Sequence, residues 1–137
     1  MSNKFFSEAW VNEAHKVEQQ IGDRLLKAFK NPATFDHVLA FEVADHPTLT
    51  THLEYVGGRS VAWTATDLFP EDQVWARFRA NLEHWREAAE GKTPAANLIM
   101  AGKMRLTKGT MKAAVENAEP LNILVRSFGE VDTDWEF

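Results

Sequence analysis

Five histidines, four serines and 20 acidic side chains are the groups of this chain that could do acid–base or nucleophilic work; there is no cysteine. Thiol catalysis, disulfides and cysteine-ligated metal are therefore excluded. The serines are Ser2, Ser7, Ser60 and Ser127, and none stands in a G-x-S-x-G turn that would expose its hydroxyl as a nucleophile. His15, His37, His46, His52 and His84 show no H-x-x-x-H or H-E-x-x-H spacing that would put two ligands on one helical face. Asp45, His46, His52 and Glu54 gather around one turn and strand, with His52 and Glu54 on the same side of the pleat. That grouping suits an acid–base pair or a metal, and equally a set of surface side chains. The carboxylate pairs Glu83/Glu87 and Glu71/Asp72 sit in solvated stretches. No glycine-rich phosphate loop is present, since Gly57-Gly58 is a turn signal. The expectation is a chain with no catalytic residue, no metal and no cofactor.

What remains is apolar surface beside a basic stretch. Met100, Met104 and Met111 fall within twelve residues. Methionine suits walls that must accept irregular apolar shapes. Phe41, Phe78, Trp85, Leu98, Leu106, Leu124 and Phe128 can join them. Pattern alone does not separate the lining of a pocket from an ordinary core. Residues 91–115 hold Lys92, Lys103, Arg105, Lys108 and Lys112 and no acid, a local +5 in a chain of net charge -5. Such a face can meet anions, or can be a solvated strand and helix. The net charge speaks against a general nucleic-acid binder, despite the interleaved V-W-A-R-F-R.

The elements that must position these residues follow from periodicity. Residues 7–29 read as one long amphipathic helix capped by Ser7, with Trp10, Ala14, Val17, Ile21, Leu25 and Ala28 as its stripe. Strands are predicted over 35–44, 50–56, 59–66 and 73–80, the middle pair forming a hairpin about Gly57-Gly58. Val74, Ala76, Phe78 and Ala80 share one face of the fourth strand; Trp75, Arg77 and Arg79 share the other. Asn81 caps a helix that ends at Gly91, and Thr93-Pro94 caps a short one carrying Leu98, Ile99 and Met100. The strand K-M-R-L-T-K turns Met104 and Leu106 inward and Lys103, Arg105 and Thr107 outward. Thr110 and Pro120 begin two further helices, and the acidic tail from Glu130 to Phe137 is expected to be loose. Strands cluster early and helices late, which predicts an α+β fold: one mostly antiparallel sheet with helices on one side. A chain of 137 residues suits a single domain.

Between Trp85 and Gly109 the chain also resembles a known family, the sterol carrier protein type 2 lipid-transfer domain. The residues that carry the resemblance are Trp85, Gly91-Lys92, Thr93-Pro94, Ala96, Leu98, Gly102-Lys103 and the strand K-M-R-L-T-K-G. It spans roughly residues 35–118, leaving the helix 7–29 and the segment 120–137 at its margins. The resemblance implies a five-stranded α+β domain with an apolar tunnel between sheet and helices. It also implies a carrier of sterols, fatty acids, acyl-CoA or similar ligands without catalysis of its own; some related domains are instead accessory or dimerising parts of larger enzymes. On that footing Phe41, Phe78, Trp85, Leu98, Met100, Met104, Leu106, Met111, Leu124 and Phe128 become candidate lining. Lys92, Lys103, Arg105 and Lys108 become candidate contacts for an anionic headgroup. The implied partners are an apolar small molecule, a membrane surface met transiently, and a second copy of the chain. The first residues lack the apolar core of a signal peptide, no apolar run is long enough to span a bilayer, and D-T-D-W-E-F is not a peroxisomal address. The expected setting is cytoplasmic.

Overall fold

The hairpin at Gly57-Gly58 forms as its sequence dictates. In this computed structural model, which describes residues 2–66 and 68–137, both glycines adopt positive φ (59° and 79°) and join β3 (Thr50–Val56) to β4 (Arg59–Thr64). Three more strands, β2 (His37–Val43), β5 (Val74–Ala80) and β6 (Met104–Lys108), complete a five-stranded sheet in the order β4-β3-β2-β5-β6. Three of its pairings are antiparallel; β2 and β5 run parallel. The parallel pair requires a crossover from the β4 edge to the far side of β2. The chain makes it across the helix-free face, where Phe69 packs on Val38, Ala40 and Val74.

The helices cover the other face. The expected single helix over 7–29 is two: α1 (Glu8–Gln20) and α2 (Gly22–Ala28), parted at Ile21, whose φ/ψ of -100°/12° is not helical. Gly22 makes the break cheap, since glycine already weakens a helix by about 1 kcal/mol. Ser7 caps α1 as expected, accepting from the Trp10 backbone N–H at 3.2 Å. The helix α3 (Leu82–Ala89) starts after Asn81, but Asp45 Oδ1 takes the Leu82 N–H in its place at 2.9 Å. The helix α4 (Ala95–Met100) begins one residue later than predicted, with Pro94 as its cap. The Thr93 hydroxyl instead donates to the Glu87 carboxylate, whose pKa it helps to lower. Two last helices, α5 (Met111–Glu116) and α6 (Ala118–Ser127), follow β6.

The tail is not loose. Two short strands, β1 (Asn3–Lys4) and β7 (Thr133–Asp134), pair in parallel. The ring of Trp135 lies 4.5 Å from that of Phe5, and Trp10 Nε1 donates to Thr133 Oγ1 at 2.8 Å. Phe6 holds φ at 62°, the left-handed region, so that Phe5 and Phe6 both turn inward and stack at 3.9 Å. They join Trp10, Trp85, Phe41 and Phe128 in an aromatic cluster at one end of the core. The acidic composition of the tail hid this, because the Trp135 ring and the strand pairing outweigh carboxylates that stay in water. No helix among the described residues is long and apolar enough to cross a membrane.

Candidate functional site

The opposite end of the core is not filled. A cavity of about 30 Å³ lies between the sheet and the last helices. Its floor is Leu39, Tyr55, Ala76, Phe78 and Leu106; its roof is Ala113, Ala114, Leu121 and Leu124; Phe29, Phe35 and Trp75 close one end. Small residues on α5 are the reason it exists, since two alanines face large side chains across the gap. The space would hold roughly two waters.

The sheet is shaped for the cavity. Register slips in three of its four pairings: between Val38/Leu39 against β5, Glu54/Tyr55 against β4, and Arg77/Phe78 against β6. Val38 pairs with Val74 and Leu39 with Ala76, leaving Trp75 as the extra residue. A bulge re-aims the side chain it carries. Trp75 therefore leaves the outward face that alternation predicts and stacks on His37 at 4.2 Å, 11° from parallel. Burial there pushes the His37 imidazole below its usual pKa, with the Asp36 carboxylate opposing. Gly109, at φ 98°, lets the chain turn from β6 into α5 flat against the sheet; a Cβ there would lie 2.9 Å from the Trp75 carbonyl oxygen.

Tyr55, Thr110 and Asn117 on the wall are all bonded. The Tyr55 hydroxyl donates to Glu18 Oε2 at 2.8 Å, and burial with the adjacent carboxylate pushes its pKa well above the usual phenol value. Thr110 Oγ1 caps α5 by accepting from the Ala113 N–H at 3.1 Å. The Asn117 amide donates to the Ala113 carbonyl at 3.1 Å and accepts from the Lys30 N–H at 3.3 Å. The space is thus presented with apolar surface and no acid, base or nucleophile.

Of the sequence-predicted lining, Phe78, Leu106 and Leu124 meet at this cavity. Phe41, Trp85, Leu98, Met104 and Phe128 are buried in the filled core beside it. Met100 and Met111 are 80% and 52% exposed, because α4 and α5 turn those positions to solvent. The four basic residues lie outside the lining: Lys92 pairs with Glu90 at 3.1 Å, Lys108 donates to the Glu71 carbonyl, and Lys103 and Arg105 are exposed. Sequence reasoning missed Phe29, Phe35, Tyr55, Trp75 and Ala113. Aromatic content around residues 29–37 was the available signal, but periodicity assigned it to a helix end and a strand.

Two constellations resemble catalytic sets without their arrangement. Ser60 Oγ lies 3.1 Å from His15 Nε2 and also bonds Glu18. A catalytic triad needs the carboxylate behind the imidazole; here it faces the serine, and the set ties α1 to the hairpin. His46 lies 5.1 Å from the Phe137 ring, while His52 accepts from the Phe69 N–H at 3.1 Å under the crossover, so the two sit in different surroundings. Among the described residues, no group of three or more His, Cys, Asp or Glu is placed to hold a metal ion.

No protein-family model matches the chain, and no curated protein matches it. Solved structures do. A crystal structure of sterol carrier protein 2 superposes with a TM-score of 0.77 at 25% identity, covering 93% of this chain and 99% of its own. A conserved hypothetical protein from Thermus thermophilus, described as a candidate sterol carrier protein, follows at 0.73 and 24%, covering 98% and 94%. Apo sterol carrier protein 2 from Yarrowia lipolytica shares the fold at 0.52 and 14%, covering 94% of each chain.

Proposed function

With a sterol carrier protein 2-like domain as its premise, we propose that the chain is a non-enzymatic carrier of an apolar ligand such as a sterol, a fatty acid or an acyl-CoA. The observation that carries this is the cavity between sheet and helices, whose wall is apolar and whose Tyr55, Thr110 and Asn117 side chains are bonded to other protein groups. Pockets for small molecules occupy about 300–1,000 Å³, so loading requires the roof to lift from its closed position. The helix α5 is the part of the roof able to do so, since none of its six residues is buried. Phe78, Leu106 and Leu124 would contact the ligand first. Phe41, Trp85, Leu98, Met104 and Phe128 would bound the enlarged space. A cytoplasmic setting and a transient membrane contact through Lys103 and Arg105 belong to the same proposal.

Titration with a fluorescent fatty acid and a fluorescent sterol, with native mass spectrometry of the purified protein, tests it. The expected result is saturable uptake and a one-to-one adduct. Absence of both with every probe refutes the carrier reading. One observation favours a second reading, an accessory module for a partner enzyme: the cavity is small when closed. An intact fold that takes up no probe but co-purifies with an enzyme would support it.

A further inference from the structure

The cavity has a thin wall on one side. An outer cleft of about 120 Å³ lies against it and shares Phe35, Trp75, Ala113 and Asn117 with its lining. These four side chains stand between the apolar interior and the outer cleft. The outer cleft differs in chemistry, being edged by Lys30, Asn31, Thr34 and Glu116. Lys30 Nζ lies 3.3 Å from Glu116 Oε1, and the Lys30 backbone N–H reaches Asn117 Oδ1 at 3.3 Å. These bonds join the turn before β2 to the C-terminal end of α5. Both partners of the ion pair are solvent-accessible, at 54% and 31% of their side-chain surface. A latch of this kind is weak and exchangeable. Beyond it, α5 is bounded by Gly109 at φ 98° and by Asn117 at φ -113°, two non-helical joints.

We propose that this is the portal, that it admits a single-chain lipid with a carboxylate head, and that Lys30 holds that head after releasing Glu116. The proposal rests on the carrier reading and narrows it. The chemistry is an exchange of one carboxylate for another on the same ammonium. The acyl chain passes between Trp75 and Ala113 into the apolar space, and its head stays in the polar cleft. A neutral lipid gains the same apolar contacts but leaves the Lys30–Glu116 pair in competition with entry. The four basic residues from 92 to 108 are not needed for this, and none of them borders the outer cleft.

The test compares palmitate with hexadecanol as displacers of a fluorescent lipid, on wild type, Lys30→Met and Glu116→Gln. A charge-assisted contact predicts that wild type binds palmitate about five- to tenfold more tightly than the alcohol. Lys30→Met is expected to make the two equal, weakening palmitate and easing hexadecanol, and Glu116→Gln to tighten palmitate. If Lys30→Met keeps the wild-type preference, or wild type shows none, the portal assignment is overturned while the carrier reading stands. If wild type binds neither lipid, the portal assignment is overturned, and the carrier reading falls with it only when the fluorescent sterol also fails to bind. The exposed position of Lys30 keeps the fold intact in the key variant.

Discussion

Substituting Ala114 by leucine separates a functional cavity from a packing fault. Ala114 lines the roof on α5 and does not border the outer cleft. Leucine is nearly as good a helix former as alanine, so the helix itself is little changed. At about 24 cal/mol per Å³, an unfilled volume of 30 Å³ costs the fold about 0.7 kcal/mol. Filling it should recover much of that, a rise in Tm of about 2 °C for a chain of this length. The same three carbons occupy the space a ligand would enter, so lipid affinity should fall by at least tenfold. Thermal unfolding and fluorescent-lipid displacement on one preparation read the two effects. Stability up and binding down is the signature expected of a site kept open at a cost. Lipid affinity equal to wild type would refute entry between α5 and the sheet. A Tm lowered by several degrees would show that the roof already packs closely there.

Two further predictions concern the buried tie behind Tyr55. Glu18→Leu leaves the Tyr55 hydroxyl without its acceptor, while Ser60 keeps His15 within reach; at about 1–3 kcal/mol for the stranded donor the loss should be about 1–3 kcal/mol in urea unfolding, and a change under about 0.5 kcal/mol would contradict the assignment. The raised Tyr55 pKa gives the second. The unfolded phenol ionises near pH 10 and the folded one higher, so the unfolded state loses its proton first. Its contribution to stability is full below about pH 10 and is lost as pH rises toward the folded value. The urea midpoint of wild type should therefore fall more steeply between about pH 9 and 11 than that of Tyr55→Phe, and parallel curves would disprove the coupling.

The strands were legible because their signals are local. Two glycines dictate the hairpin, and alternation gives Met104 and Leu106 their inward face. The break at Ile21 was not legible, because the apolar stripe runs unbroken across it and only packing against the sheet decides where the chain bends. Trp75 shows the same limit at the site. Alternation assumes a constant register, and a single slip between β2 and β5 moved that residue from the outer face to the cavity rim. The methionines misled for another reason: Met100 and Met111 are at the ends of short helices, where the helix phase leaves them toward solvent. The sequence resemblance anticipated the five-stranded α+β fold, whereas the lining of the cavity depends on register shifts that no residue type announces.

The pairing of the two chain ends has a consequence for how the molecule is made. Phe5, Phe6 and Trp10 find their partners in Phe128, Thr133 and Trp135, more than a hundred residues later. At about 5–20 residues per second a ribosome needs on the order of ten seconds to supply them. Through that interval Phe5, Phe6 and Trp10 have one another and then Trp63 and Trp85 to meet, but lack the partners that close the cluster. Vectorial synthesis thus works against this fold, and the nascent chain offers an apolar segment to any chaperone that meets it before the last strand emerges.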